Sequence, residues 1–472
     1  MEKEKRWKVP FLKRRSFIAA VMVVLLGVAF LGVPALVRAA DPSGTDTLNA
    51  DPSAALNMAW TLIAGFLVWF MQLGFAFLGA GLIRAKNTVN YFTKSFMDFC
   101  IASLGFWAFG FALMFGGSQL FPGLELGNGF LGYSGFFLSG ESYDVSTIMF
   151  WFFQMVFAAT ACTIVAGAVA ERMKITAYLA YSFIIGAIIY PVYGHWVWGG
   201  GWLSNITIGG VTGVVDFAGS GVVHVVGGLT ALVAAAMVGP RIGRFSKDGK
   251  PNVIKGHSVP YVVIGTFILF FGWFGFNAGS TLAATELRIS VITVNTFLAA
   301  ATGAVVALYW KFATTGKADI LSACNGALAG LVAITAPCAF VAPWAAVVIG
   351  AVSVLFLFAT GHIVERVLKV DDAVGAVPVH FGAGLWGLLA VGIFADGTYG
   401  VIGLIAGVWG QLVLQVIDIA ALVVWVLPTV FVTFWLIKKS MGLRASREEE
   451  LSGLDMPEHG IEAYPKEQPV NA

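Results

Sequence analysis

Charge is scarce in this sequence. Asp, Glu, Lys and Arg make up 11% of its 472 residues, less than half of the roughly 25% that soluble domains carry. A water-exposed globular fold is therefore excluded. With a net charge of only +2, no basic patch suited to nucleic acid is present either. Cysteine is scarcer still: Cys100, Cys162, Cys324 and Cys338 stand singly in apolar runs. They outline neither a disulfide framework nor a metal site, and they read as small packing residues. Ser220 and His224 lie close together, but Ala218 and Val222 occupy the glycine positions of a GxSxG elbow. No other nucleophile and base pair stands out, so the chain is not read as an enzyme, and no cofactor is implied.

What the chain does have is long apolar runs. It is 58% hydrophobic, with a mean hydropathy of +0.84, and a helix needs about 20 apolar residues to span a bilayer. Eleven such stretches follow residue 50, near 55–83, 95–116, 146–170, 175–197, 216–239, 259–279, 290–310, 318–337, 342–363, 373–394 and 401–437. The last is the longest. The expected fold is an all-α integral membrane protein with eleven transmembrane helices.

Before these spans, Lys13, Arg14 and Arg15 precede an apolar run from Phe17 to Leu36, and Val37-Arg38-Ala39 offers small residues for cleavage. Residues 1–39 are therefore expected to be a cleaved signal peptide. Residues 40–439 would form the membrane domain and 440–472 a polar tail. Eight of the 28 Lys and Arg residues fall in the first forty. If the first span runs outside to inside, every remaining one except Arg288 is cytoplasmic, as the positive-inside rule requires. An odd number of spans then leaves the C-terminus in the cytoplasm.

Two histidines share nearly the same apolar surroundings: Val222-Val223-His224-Val225-Val226-Gly227-Gly228 and Pro378-Val379-His380-Phe381-Gly382-Ala383-Gly384. Between Lys174 and Arg241 the one charged residue is Asp216, and Ala373 to Ala395 contains none. An ionisable group kept in such a segment usually lines a pathway. Its repetition in the two halves points to a central site between inverted five-helix repeats, with the long last helix outside them. Asp216 lies eight residues before His224, about 12 Å along a helix. Its carboxylate either caps the fifth span or faces a cation near the outer mouth.

Aromatic and polar groups recur at helical spacing. Phe153 and Phe157 share one face of the third span; Trp273, Phe276 and Ser280 share one face of the sixth. Trp198 ends the fourth span, where tryptophans commonly mark the interface. Asp98 and Asp418, inside apolar runs, are expected to be buried hydrogen-bonded partners rather than pore groups.

These segments together resemble the ammonium transporter family, the Amt/Mep group related to Rh glycoproteins. The match runs in order through Gly81-Leu82-Ile83-Arg84-Ala85-Lys86-Asn87, Phe152-Phe153-Gln154-Met155-Val156-Phe157-Ala158, Gly167-Ala168-Val169-Ala170-Glu171-Arg172, Asp216 to His224, Gly272 to Ser280 and Asn325 to Val332. The resemblance implies a homotrimer with one pore per subunit, and the signal peptide pattern suits a bacterial cytoplasmic membrane. It implies ammonium recruitment by Trp198, Ser280 and Phe153, supported by Asp216, above a gate of Phe157 and Phe276. Below would lie the twin histidines His224 and His380, with Trp273 lining the pore. Ammonia would be conducted, with a separate route for the proton. The tail resembles the family's cytoplasmic tail, which couples neighbouring subunits, and in prokaryotic members PII-type regulatory proteins close the inner pore. Pro378, two residues before His380, departs from the pattern and leaves that histidine's position open. Alternative readings are an ammonium sensor of the same fold, or a neutral gas channel of the Rh kind.

Overall fold

The computed structural model describes residues 40–465; the expected signal peptide lies outside them. Among the described residues, nine helices are long and apolar enough to cross a membrane: α1 Ala54–Leu82, α2 Ala85–Phe115, α3 Val145–Val169, α4 Ile175–Asn205, α5 Ser220–Val238, α6 Val259–Thr281, α7 Ile289–Thr315, α9 Pro343–Val367 and α11 Gly410–Ser440. Two shorter apolar helices, α8 Ile320–Thr335 and α10 Pro378–Phe394, take the eighth and tenth places. One two-stranded ribbon, Thr207–Ile208 with Val211–Thr212, is the sheet among the described residues. The chain is an all-α membrane protein.

Several boundaries differ from the sequence expectation, among them the end of α4 at Asn205 instead of 197 and the starts of α2, α5 and α11. The second helix begins at Ala85, ten residues before 95, because its polar first turns are buried rather than exposed: Lys94 has no solvent exposure and donates to Asn90 Oδ1 at 2.7 Å. The fifth begins at Ser220 instead of 216, since Gly219 takes a left-handed φ of +108° that ends regular helix there. The last begins at Gly410 instead of 401, because Gly400 and Gly407 turn the chain with φ of +83° and +86°.

Packing follows an internal repeat. α1 lies along α6, the first helix of each half. α3 packs on α5 as α8 packs on α10, and α2 packs on α4 as α7 packs on α9. α5 and α10 cross at the centre, each opening with a wide π-helical turn, Ser220–Val225 and Pro378–Gly382. Such turns recur at functional positions. Pro378 sits in the first turn of α10, where its missing N–H costs nothing, so it opens that helix instead of kinking it. Glycines four residues after each histidine let the helices cross closely. A Cβ on Gly228 would lie 2.4 Å from the Phe381 nitrogen, and one on Gly384 2.7 Å from the Ser220 oxygen.

Candidate functional site

One end of the central axis is a vestibule, a cavity of about 310 Å³ lined by Phe153, Phe157, Trp198, Ser280, Phe217 and Leu282 among others. Trp198 is fixed by its indole N–H, which donates to the Asp216 carbonyl at 2.7 Å. Ser280 donates to the Phe276 carbonyl at 2.7 Å, leaving its oxygen lone pairs free to accept from a cation. An aromatic face beside a hydroxyl acceptor is the chemistry that replaces water around a small cation.

Asp216 itself points the other way. One carboxylate oxygen accepts from the backbone N–H groups of Gly219 and Ser220 at 3.0 and 2.8 Å, and the other from Gly221 and Val222 at 2.8 and 2.9 Å. The side chain is buried. Of the two roles open in the sequence, the carboxylate performs the capping one, and Asp216 reaches the vestibule through its carbonyl. The second half repeats the device: Asp372, eight residues before His380, accepts from Gly375 and Val377 at 3.1 and 2.7 Å.

Beneath the vestibule four rings form a column. Phe157 stacks on Phe276 with centroids 4.1 Å apart and planes 27° apart. His224 follows, 5.3 Å from Phe276 and 5.1 Å from Trp273, and then His380, 5.3 Å further with planes 25° apart. The histidines meet Nδ1 to Nδ1 at 3.2 Å, so one donates while the other accepts and the pair shares a proton. His224 Nε2 is buried with no protein partner. Trp273 is held by a hydrogen bond to Thr335 at 2.9 Å. Below His380 a narrow cavity of about 30 Å³ continues between Phe75, Thr163, Asn325 and Val374.

Every residue nominated from the sequence thus lies on one axis, Asp216 by its backbone. Asp98 and Asp418 are hydrogen-bonded partners as expected: Asp98 accepts from Thr163 at 2.9 Å and from Tyr178, and Asp418 from Tyr193 at 2.8 Å. Phe75, its ring 6.1 Å from His380, escaped the sequence reading. It is one of 39 phenylalanines and carries no motif that separates it from packing residues.

At the end of the axis beyond His380 the helix ends are tied by ion pairs. Glu171 pairs with Arg84, and Asp371 with Arg241 at 2.9 Å and Arg244 at 3.2 Å. Burial raises the Asp371 carboxyl, but hydrogen bonds from Arg241 and the charges of Arg172 and Arg241 prevail and hold it at about 2. Burial, opposed by the Asp371 charge, brings Arg172 down to about 10, still a cation at neutral pH. The tail folds back over these loops of its own chain. Arg444 donates to the carbonyls of Val238 and Pro240 at 3.1 and 2.7 Å, and Glu450 accepts from Ile242 at 2.7 Å. Asp455 accepts from Asn90 at 2.8 Å. His257 and His459 both bind across this seam, to Tyr464 at 2.8 Å and Asn90 at 3.0 Å.

Comparison with known proteins gives one consistent answer. The model of the Ammonium Transporter Family matches residues 59–464. Ammonium transporter Amt2 of Archaeoglobus fulgidus is 52% identical over 458 residues, 94% of each chain. Ammonium transporter 1 member 3 of Solanum lycopersicum is 39% identical, covering 89% of this chain and 95% of the relative. Among solved structures, one titled Sensor Amt Protein superposes with a TM-score of 0.79 at 38% identity, covering 87% of this chain and 100% of the other. Candida albicans Mep2 superposes at 0.74 with 27% identity, covering 83% and 87%.

Proposed function

This chain belongs to the ammonium transporter family and is an ammonium transporter; from that premise we propose how it works. Ammonium is recruited in the vestibule against the ring of Trp198, with Phe153 beside it and the Ser280 oxygen accepting one of its hydrogens. Cation–π attraction supplies about 0.5–2 kcal/mol there, more as water is lost. Past Phe157 and Phe276 the walls are apolar, and carrying an intact charge through them is prohibitive. Ammonium can shed a proton; potassium cannot. The ion therefore deprotonates above or at the gate, and ammonia passes along His224, His380 and Trp273.

The proton follows separately through the histidine pair, since each imidazole both accepts and donates. The observation that carries this reading is the unbroken ring column from Phe157 to His380, which joins a cation-suited vestibule to two imidazoles with no charged side chain between. We further propose a homotrimer in a bacterial cytoplasmic membrane, with the C-terminus in the cytoplasm, a reading that the distribution of Lys and Arg supports, and a PII-type protein as regulator at that face.

The test is electrical. Purified protein in liposomes should give a transient current on an ammonium pulse and none on an equal potassium pulse. Likeness to the structure titled Sensor Amt Protein keeps a sensing role as the second reading; ammonium binding without current would establish it instead. Ammonia flux without charge movement would favour a neutral gas channel.

A further inference from the structure

Neither five-helix half includes α11, yet its buried face reaches the loop that leads into Asp216. Gln411, Gln415 and Asp418 follow one another at spacings of four and three, with Trp425 seven further on, so they form one stripe on the helix. All three polar members are buried. Gln415 Oε1 accepts from the Val215 N–H at 2.9 Å, and its Nε2 donates to the Val215 carbonyl at 2.8 Å and to the Leu388 carbonyl of α10 at 3.2 Å. One side-chain amide thus pairs with both backbone groups of a single residue, as a neighbouring β-strand would. Gln411 supports it, donating to Gln415 Oε1 at 3.1 Å and to the Gly213 carbonyl at 3.3 Å.

Val215 immediately precedes Asp216, whose carbonyl holds the Trp198 indole at 2.7 Å. The same helix grips the Trp198 segment directly. Asp418 accepts from Tyr193, and the Trp425 indole donates to the Ile189 carbonyl at 2.9 Å. Both ends of the Trp198–Asp216 contact are therefore referred to one rigid helix. The loop from Gly213 to Gly219 is otherwise irregular backbone, with φ of +83° and +108° at its two ends, and irregular chain at membrane depth needs such partners.

We propose that Gln415 is a positioning residue for ammonium recruitment: by clamping Val215 it fixes the carbonyl that aims Trp198 into the vestibule. The inference rests on the recruitment reading of Trp198 given above. Replacing the amide by an isosteric apolar group leaves Val215 without two partners, and the loop then holds Trp198 in a spread of orientations. A group that acts only through Trp198 changes how much ammonium is captured, not how fast a captured molecule crosses.

The test compares Gln415→Leu, Trp198→Leu and the double variant by initial ammonium currents in liposomes, per unit of trimer recovered by size exclusion. Gln415→Leu should raise half-saturating ammonium about three- to tenfold, the scale of one or two lost buried hydrogen bonds. The saturated current should stay within about twofold. In the Trp198→Leu background it should add little, because the group it positions is gone. Unchanged half-saturation, a loss confined to saturated current, or full additivity in the double variant would each overturn the proposal. If Gln415→Leu does not assemble, Gln411→Leu takes its place, with a smaller rise of the same kind expected and the same results overturning it. Should Trp198→Leu itself leave half-saturation unchanged, the recruitment reading fails, and that outcome is distinct from failure of the clamp.

Discussion

Replacing Asp216 by asparagine and by alanine separates a capping carboxylate from one that binds the ion. In the protein its two oxygens each accept two backbone N–H groups, at 2.8 to 3.0 Å. Asparagine keeps one oxygen and turns an NH2 donor toward the other two N–H groups. A buried N–H left without an acceptor costs about 1–3 kcal/mol, so Asp216→Asn should lose about 2–6 kcal/mol. Alanine orphans all four, about 4–12 kcal/mol on the same scale, comparable with the 5–15 kcal/mol stability of a whole domain. Asp216→Asn should therefore assemble but melt lower in detergent, and Asp216→Ala should yield little trimer. The backbone carbonyl that anchors Trp198 survives both changes, so the assembled Asn variant should show half-saturating ammonium within about threefold of the parent. An Asn variant that melts like the parent while its affinity collapses would refute the capping argument, because the carboxylate would then be facing the ion.

Four further outcomes are expected. Replacing His224 and His380 together by leucine should abolish ammonium current while trimer yield persists, and undiminished currents would exclude proton relay through the pair. Trp198→Leu keeps apolar bulk and loses the ring face; about 1–2 kcal/mol of ion binding corresponds to a roughly five- to thirtyfold weaker half-saturation, with the deficit shrinking at saturating ammonium. Deleting the chain beyond Ser440 should lower current more than trimer recovery on native gels. Asp371 is held at about 2, below its ordinary 3.8. Its stabilising contribution is therefore complete above the unfolded value and disappears as pH falls through about 2, so Asp371→Asn should cost about 2 kcal/mol at pH 7 and flatten the loss of thermal stability between roughly pH 4 and 2.

The spans were open to sequence reading because membrane physics writes them one helix at a time. A run of apolar residues must be a helix when hydrocarbon offers its backbone no other partner. An imidazole repeated in such runs is costly unless used, and the i, i+4 spacing of Phe153 and Phe157 already places them on one face. The tertiary structure decided what depends on contacts between segments. The sequence left the Asp216 carboxylate with two roles, and only the return of Gly219 to Val222 onto its oxygens chose capping. Lys94 looked like a loop residue because burial of a lysine has no local signature; its partners, Asn90 and the Met173 carbonyl, include one 79 positions away. Phe75 became a neighbour of His380, and Gln415 of Val215, through packing across about 300 and 200 residues, distances over which helical periodicity carries no information.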